Sequence, residues 1–155
     1  MTPGVNAIEK SQYAFKLHEY SHDASAQSYG LEAADKLGVD SHRVFKTLLV
    51  DTGNKQLVVG IIPVNTTLNL KRMAKALAVK KVEMADKADV ERITGYVVGG
   101  VSPLGQKRSL TTIIDASAQG LTSIFVSAGR RGLEIELAPN DLIALVAGKF
   151  SDISQ

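Results

Sequence analysis

Cysteine is absent from the 155-residue chain. That excludes disulfides, a thiol nucleophile and thiolate metal sites, and it suits a cytoplasmic protein under no particular oxidative constraint. No apolar run approaches the ~20 residues needed to cross a bilayer. Met1-Thr2-Pro3-Gly4 lacks a charged region followed by an apolar one, so no signal peptide is expected. No internal repeat, low-complexity segment or long linker interrupts the chain, and one domain over residues 1–155 is expected. Neither a Gly-x4-Gly-Lys-Ser/Thr phosphate loop nor a GxGxxG fingerprint occurs, so nothing points to nucleotide hydrolysis or a dinucleotide. The histidines (His18, His22 and His42) form no helical set with carboxylates, which argues against zinc. His22-Asp23 is read as a local turn contact rather than a ligand clamp.

Net charge is only +2, but the cations cluster at Lys71, Arg72 and Lys75, at Lys80-Lys81, at Lys107-Arg108 and at Arg130-Arg131. Local patches of this kind can hold a phosphate backbone without a large net charge. Each taken singly also reads as an ordinary solvated surface.

Helix signals are clear in several places. Thr2-Pro3 reads as a cap and first helical position, with Val5, Ile8 and Tyr13 as spaced apolar contacts. Tyr29 to Leu37 reads as a helix closed by Gly38, and Asn69 caps a helix through Ala78. Asp86 opens a further helix ending near Gly95, and Pro139 starts one that Gly148 stops. Ser21 to Ser28 is polar and loop-like. Strands are expected at Ala14–Tyr20, Val44–Val50, Gln56–Val64, Lys81–Met84, Tyr96–Val98, Thr111–Asp115, Ser123–Ser127 and Leu133–Leu137, with a hairpin at Asp51-Thr52-Gly53-Asn54. So many short strands with few helices predict an α+β domain: a mixed, barrel-like sheet of about seven strands with helices packed outside.

Two features point to chemistry. In Tyr96-Val97-Val98-Gly99-Gly100-Val101-Ser102-Pro103-Leu104-Gly105, an apolar run stops at paired glycines, a Ser-Pro turn and a third glycine, with Lys107 and Arg108 beyond. Glycines this dense suit backbone at positive φ or in close approach to a ligand; a plain turn is the other reading. Ser102 is no nucleophile elbow, because Pro103 has no N–H to serve an oxyanion. The second feature is Lys46 in Phe45-Lys46-Thr47-Leu48-Leu49-Val50. A cation in so apolar a strand needs an anion, a shifted pKa or an opening to water. Two readings stand: a cation at the mouth of a pocket, and a lysine snorkelling from a sheet edge. Ser127, ahead of Ala128-Gly129-Arg130-Arg131, either donates to a ligand or shapes its turn.

Phe45–Val50, Lys80–Asp86, Thr94-Gly95-Tyr96, Gly99–Lys107 and Arg131–Leu137, in this order, resemble the YbaK/EbsC proteins over nearly the whole chain. The resemblance implies a fold shared with the editing domain of bacterial prolyl-tRNA synthetases. It also implies an aminoacyl-tRNA deacylase that clears cysteine from mischarged tRNA(Pro) in trans, with no cofactor. Its partners would be the acceptor end of the mischarged tRNA and, transiently, prolyl-tRNA synthetase, but neither DNA nor a membrane. The family's essential strand lysine matches Lys46. Its pocket residues carry over to Tyr20, Tyr29, Thr47, Gly99, Ser127 and Glu134; relatives often have phenylalanine at Tyr29, some have aspartate at Glu134, and a glycine is common at Ala128. Backbone N–H groups at Gly99 and Gly100 are the expected oxyanion donors. The family is thought to use the substrate's own thiol as nucleophile. The alternatives are a deacylase for Ala-tRNA(Pro) or another small aminoacyl ester, and a non-catalytic module that binds the tRNA 3′ end.

Overall fold

The computed structural model describes residues 1–26 and 28–155; Gln27, inside the loop expected at Ser21–Ser28, lies outside the described residues. Chain order is α1 (Pro3–Glu9), β1 (Lys16–Glu19), α2 (Tyr29–Leu37), β2 (Phe45–Asp51), β3 (Leu57–Pro63), α3 (Leu70–Leu77), β4 (Glu83–Met84), α4 (Lys87–Thr94), β5 (Thr112–Asp115), β6 (Ile124–Arg130), β7 (Leu133–Leu137), α5 (Pro139–Val146) and β8 (Lys149–Ser151). One sheet runs β4-β2-β3-β5-β8, with β2 antiparallel to β3 and to β4, and β5 parallel to β3 and β8. The other is the antiparallel trio β1-β7-β6. A parallel bridge between Val44 and Phe125 joins them.

Alternation along the strands decides which side chains face which core. Phe45, Leu49, Val59, Ile61 and Ile114 meet Ile124, Val126, Ile135 and Leu137 from the second sheet in one apolar mass, which Val5, Ile8, Ile93 and Leu142 of the outer helices close. Val50, Ile62 and Ile113, pointing the other way, bury against Met73 and Ala74 of α3. The α+β architecture expected of the sequence is therefore present, with eight strands in two sheets around a shared core.

Local capping worked largely as the residues dictate. Asn69 accepts the Arg72 N–H at 3.0 Å, Thr2 accepts that of Val5, and Gly38 closes α2 at φ +69°. Asp86 stands at the head of α4, yet its side chain makes no cap hydrogen bond.

One expected strand is corrected and one unexpected strand is added. Tyr96–Val98 is not a strand: Gly95 ends α4 in the left-handed region, Tyr96 turns inward to donate its hydroxyl to Leu104 O at 2.6 Å, and a Gly100 N–H to Val97 O bond closes a turn. Val97 and Val98 are left exposed, so their β-branched character reports surface at a loop tip rather than sheet pairing. Conversely, β8 carries no alternation signal; it exists because α5 returns the chain beside β5.

The C-terminus is held by one buried carboxylate. Asp115 Oδ1 accepts the N–H groups of Ile153 and Ser154 at 3.0 and 3.1 Å, and Oδ2 accepts the Ser117 hydroxyl at 2.6 Å. Asp115→Ala strands those donors and is expected to cost about 2 kcal/mol in denaturant unfolding. A loss below about 0.5 kcal/mol would mean that water replaces the carboxylate without penalty.

Candidate functional site

A cleft of about 380 Å³ opens where the free edge of β2, the start of α2, the loop after α4 and the β6–β7 hairpin converge. Its size suits a small ligand or the end of a larger one. Tyr20, Tyr29, Lys46, Thr47, Gly99, Ser127 and Glu134 all line it. These are seven of the eight residues singled out in the sequence. The eighth, Gly100, lies beside the cleft, and its N–H is occupied by Val97 O at 2.9 Å. Of the two expected oxyanion donors, Gly99 is the one whose N–H makes no hydrogen bond among the described residues.

Lys46 occupies the β2 position opposite Ile62 of β3. It has no ion-pair partner among the described residues, and partial burial pushes its pKa down. The strand's apolar neighbours thus hold an unpaired cation against the cleft, so the pocket-mouth and sheet-edge readings of this lysine describe one place. Thr47 projects from the opposite face of β2, and its Oγ1 is buried without a partner.

Across the cleft, Ser127 and Glu134 are direct cross-strand partners on β6 and β7, so both side chains leave the same face of the sheet. Ser127 Oγ accepts the Gly129 N–H at 3.1 Å, so it does shape the turn, and it lines the cleft as well. Glu134 is 6% exposed, and its Oε2 has no hydrogen-bond partner. Desolvation pushes its pKa up to about 8, so the carboxyl is largely protonated at neutral pH. Tyr20 is shifted upward by burial and then by the nearby Glu134 charge.

Arg131 forms part of the site without having been named as a site residue from the sequence; there it appeared within a basic pair and at the head of the Arg131–Leu137 block. Its guanidinium carbon lies 3.7 Å from the Tyr29 ring centroid, and Nη2 donates to Val98 O at 3.3 Å. Arg131 therefore ties the hairpin to α2 and to the glycine loop. Gly99 must be glycine here. At φ +93°, a Cβ would fall 2.6 Å from the Tyr29 ring and 2.8 Å from Arg131 Nη2. No local pattern announces this clasp, because its members come from three distant segments.

Buried polar groups normally find partners. Among the described residues, the buried side-chain atoms left without one are Thr47 Oγ1, Arg131 Nε and Glu134 Oε2, and all three belong to residues lining this cleft. Together with the unpaired ammonium of Lys46, they describe a cavity built for a polar, partly charged guest. Residues 25–145 match the family model described as an aminoacyl-tRNA editing domain. The chain belongs to the aminoacyl-tRNA editing domain family. Aminoacyl-tRNA deacylation is the corresponding enzyme class.

The relatives agree. The chain is 41% identical over 157 aligned residues to an Enterococcus faecalis protein with the provisional name Cys-tRNA(Pro)/Cys-tRNA(Cys) deacylase EbsC, a match covering 99% of this chain and 93% of that one. It is 27% identical over 128 residues to a proline–tRNA ligase of Lactobacillus delbrueckii subsp. bulgaricus, covering 80% of this chain but 22% of the ligase. The fold is shared, at a TM-score of 0.86 and 21% identity, with a solved protein described provisionally as a trans-editing enzyme for prolyl-tRNA synthetase, covering 100% of this chain and 99% of that one. The editing domain's described residues contain no helix long and apolar enough to cross a membrane.

Proposed function

We propose that this editing domain works as a single unit in trans, removing cysteine from mischarged Cys-tRNA(Pro) and meeting prolyl-tRNA synthetase only transiently. The observation that carries this reading is the unsatisfied polar lining of the cleft, set beside a lysine without an anion. A guest with an ammonium, an ester carbonyl and a phosphate or sugar edge supplies a complement to each. The α-ammonium meets Glu134, which ionises as it pairs; the carbonyl oxygen takes the Gly99 N–H; Lys46 holds the terminal adenosine's phosphate or sugar region. Tyr20, Tyr29, Thr47 and Ser127 shape the remaining wall.

Among the described residues the lining contains no histidine, aspartate or cysteine, so it offers no serine–histidine or cysteine–histidine pair to attack the ester. The nucleophile in this reading is the substrate's thiol, as the family resemblance implies, with water as the alternative. Its sulfur bonds to the carbonyl carbon, the C–O bond to the ribose breaks, the thiol proton ends on the ribose oxygen, and the products are free tRNA and a four-membered thiolactone that water opens to cysteine. Positioning and carbonyl polarisation suffice, because the aminoacyl ester is already activated.

The test is a panel of misacylated tRNA(Pro). Cysteine is expected to be released at least tenfold faster than alanine or serine, with a thiolactone trapped early in the reaction. Equal rates for alanine and cysteine would replace the thiol by water and make the chain a general small-residue deacylase. Binding of the panel without cleavage of any ester would leave only a module for the tRNA 3′ end.

A further inference from the structure

A second cavity, of about 270 Å³, lies on the face of the first sheet away from the shared core, between α3 and the segment at 79–82 that leads into β4. Its floor is apolar, built in part from buried Ala74 and Val82, and its walls carry Lys71, Lys75, Lys80 and Lys81. Residues 65–82 hold five cations and not one acid. The fold then sorts those cations. Arg72 turns away to the C-terminus, donating to Ser154 O at 2.6 Å and pairing with Asp152. Lys81 lies 3.5 Å from Glu83, an exposed pair of little strength. Lys71, Lys75 and Lys80 have no carboxylate partner among the described residues. Lys71 and Lys75, one helical turn apart on α3, flank the groove from one side, and Lys80 stands on the other.

The groove also lies close to the editing cleft along the chain. Val82 lines the groove; Met84, Ala85 and Lys87, just beyond it in the chain, line the cleft. At about 3.3 Å per extended residue, the two cavities are separated by roughly 7 Å of β4. Mobile ammonium groups on long stems suit phosphates recognised without regard to sequence.

We propose that this lysine groove binds the phosphate backbone of the tRNA acceptor strand, β4 being the shelf over which its aminoacylated end passes into the cleft. The inference rests on the deacylase reading above and adds to it the surface that carries the RNA. It implies affinity for tRNA whether or not an amino acid is attached, and a strong dependence on salt.

The experiment measures binding of uncharged tRNA by fluorescence anisotropy across a salt series, with deacylation followed in parallel. Three proteins are compared: the natural chain, Lys75→Glu/Lys80→Glu, and Lys107→Glu/Arg108→Glu, which carries the same change in charge at the glycine-loop end. All positions altered are exposed, and circular dichroism checks that each protein is folded. The groove variant is expected to bind at least tenfold more weakly at low salt, with its log–log salt slope shallower by about 1.5. It is also expected to release cysteine from a short 3′-terminal aminoacyl oligonucleotide at the natural rate. The loop variant is expected to change affinity less than threefold. Unchanged affinity in the groove variant, equal losses in both variants, or no tRNA binding by the natural chain would overturn the proposal. So would binding of an acidic protein segment, rather than tRNA, as the property lost with the groove lysines. A natural chain that binds tRNA through the groove but cleaves no ester would leave the groove standing and sink the deacylase reading instead.

Discussion

Lys46→Ala is expected to lower kcat/KM for Cys-tRNA(Pro) at least a hundredfold, which is about 2.7 kcal/mol of transition-state stabilisation. The expectation comes from position and charge together. Lys46 sits in an apolar strand, lines the cleft, has no anion of its own, and is pushed toward its neutral form by partial burial. A cation in that condition gains most when a phosphate or a carbonyl oxygen arrives. The same condition predicts stability of the opposite sign: removing a half-desolvated, unpaired ammonium should leave the unfolding free energy unchanged or slightly higher. Lys46→Met, which keeps much of the aliphatic stem, isolates the charge. Lys46→Arg keeps the charge but not the geometry, and is expected to recover little activity. Activity in Lys46→Ala within threefold of the natural protein would remove the lysine from the mechanism. A fall in stability that matches the loss of activity would make it a structural residue.

Glu134→Gln is expected to stabilise the empty protein, and by an amount that grows with pH. The Glu134 carboxyl ionises near pH 8 when folded, against an ordinary value of 4.5. Between those values, the folded chain keeps a proton that the unfolded chain has released. The group's contribution to stability therefore falls as pH rises through the window, and is flat below about pH 4.5 and above about pH 8. At pH 7 the cost is about 3 kcal/mol, and it is absent in the amide. The Tm difference between variant and natural protein should widen from a few degrees at pH 5 to about 9–17 °C at pH 8. A constant difference over that range would mean that the carboxyl is hydrated in the folded state. The same substitution removes the partner proposed for the substrate's ammonium, so KM for Cys-tRNA(Pro) is expected to rise while stability improves. A site that costs folding energy in order to meet a charged guest behaves in this way.

Much of the architecture was legible in advance, because its causes are local. Caps at Thr2, Asn69 and Gly38, proline at the head of α1 and α5, and the hairpin between Asp51 and Asn54 all act within a few residues of themselves. The misreadings lie where long-range packing outweighs local preference. Tyr96–Val98 has the composition of a strand but no neighbour to pair with, and burial of the Tyr96 ring outweighs the preference of its valines. Lys149–Ser151 lacks a strand pattern and becomes one beside β5. Gly99 and Gly100 were both expected as oxyanion donors; a turn hydrogen bond to Val97 O engages the Gly100 N–H.

The α+β class, most element boundaries and the oddity of Lys46 are readable from the chain alone, because periodicity, caps and an isolated charge in an apolar strand are properties of neighbours along the chain. It took three-dimensional packing to show that Thr47, Arg131 and Glu134 each bury a polar atom with no partner among the described residues, and that they do so around one cleft. That packing alone set Arg131 on Tyr29 against Gly99, and sorted Lys71, Lys75 and Lys80 from Arg72 into a single groove. Desolvation and an unmet hydrogen bond depend on what surrounds an atom in space, and those surroundings come from residues that the chain order keeps far apart.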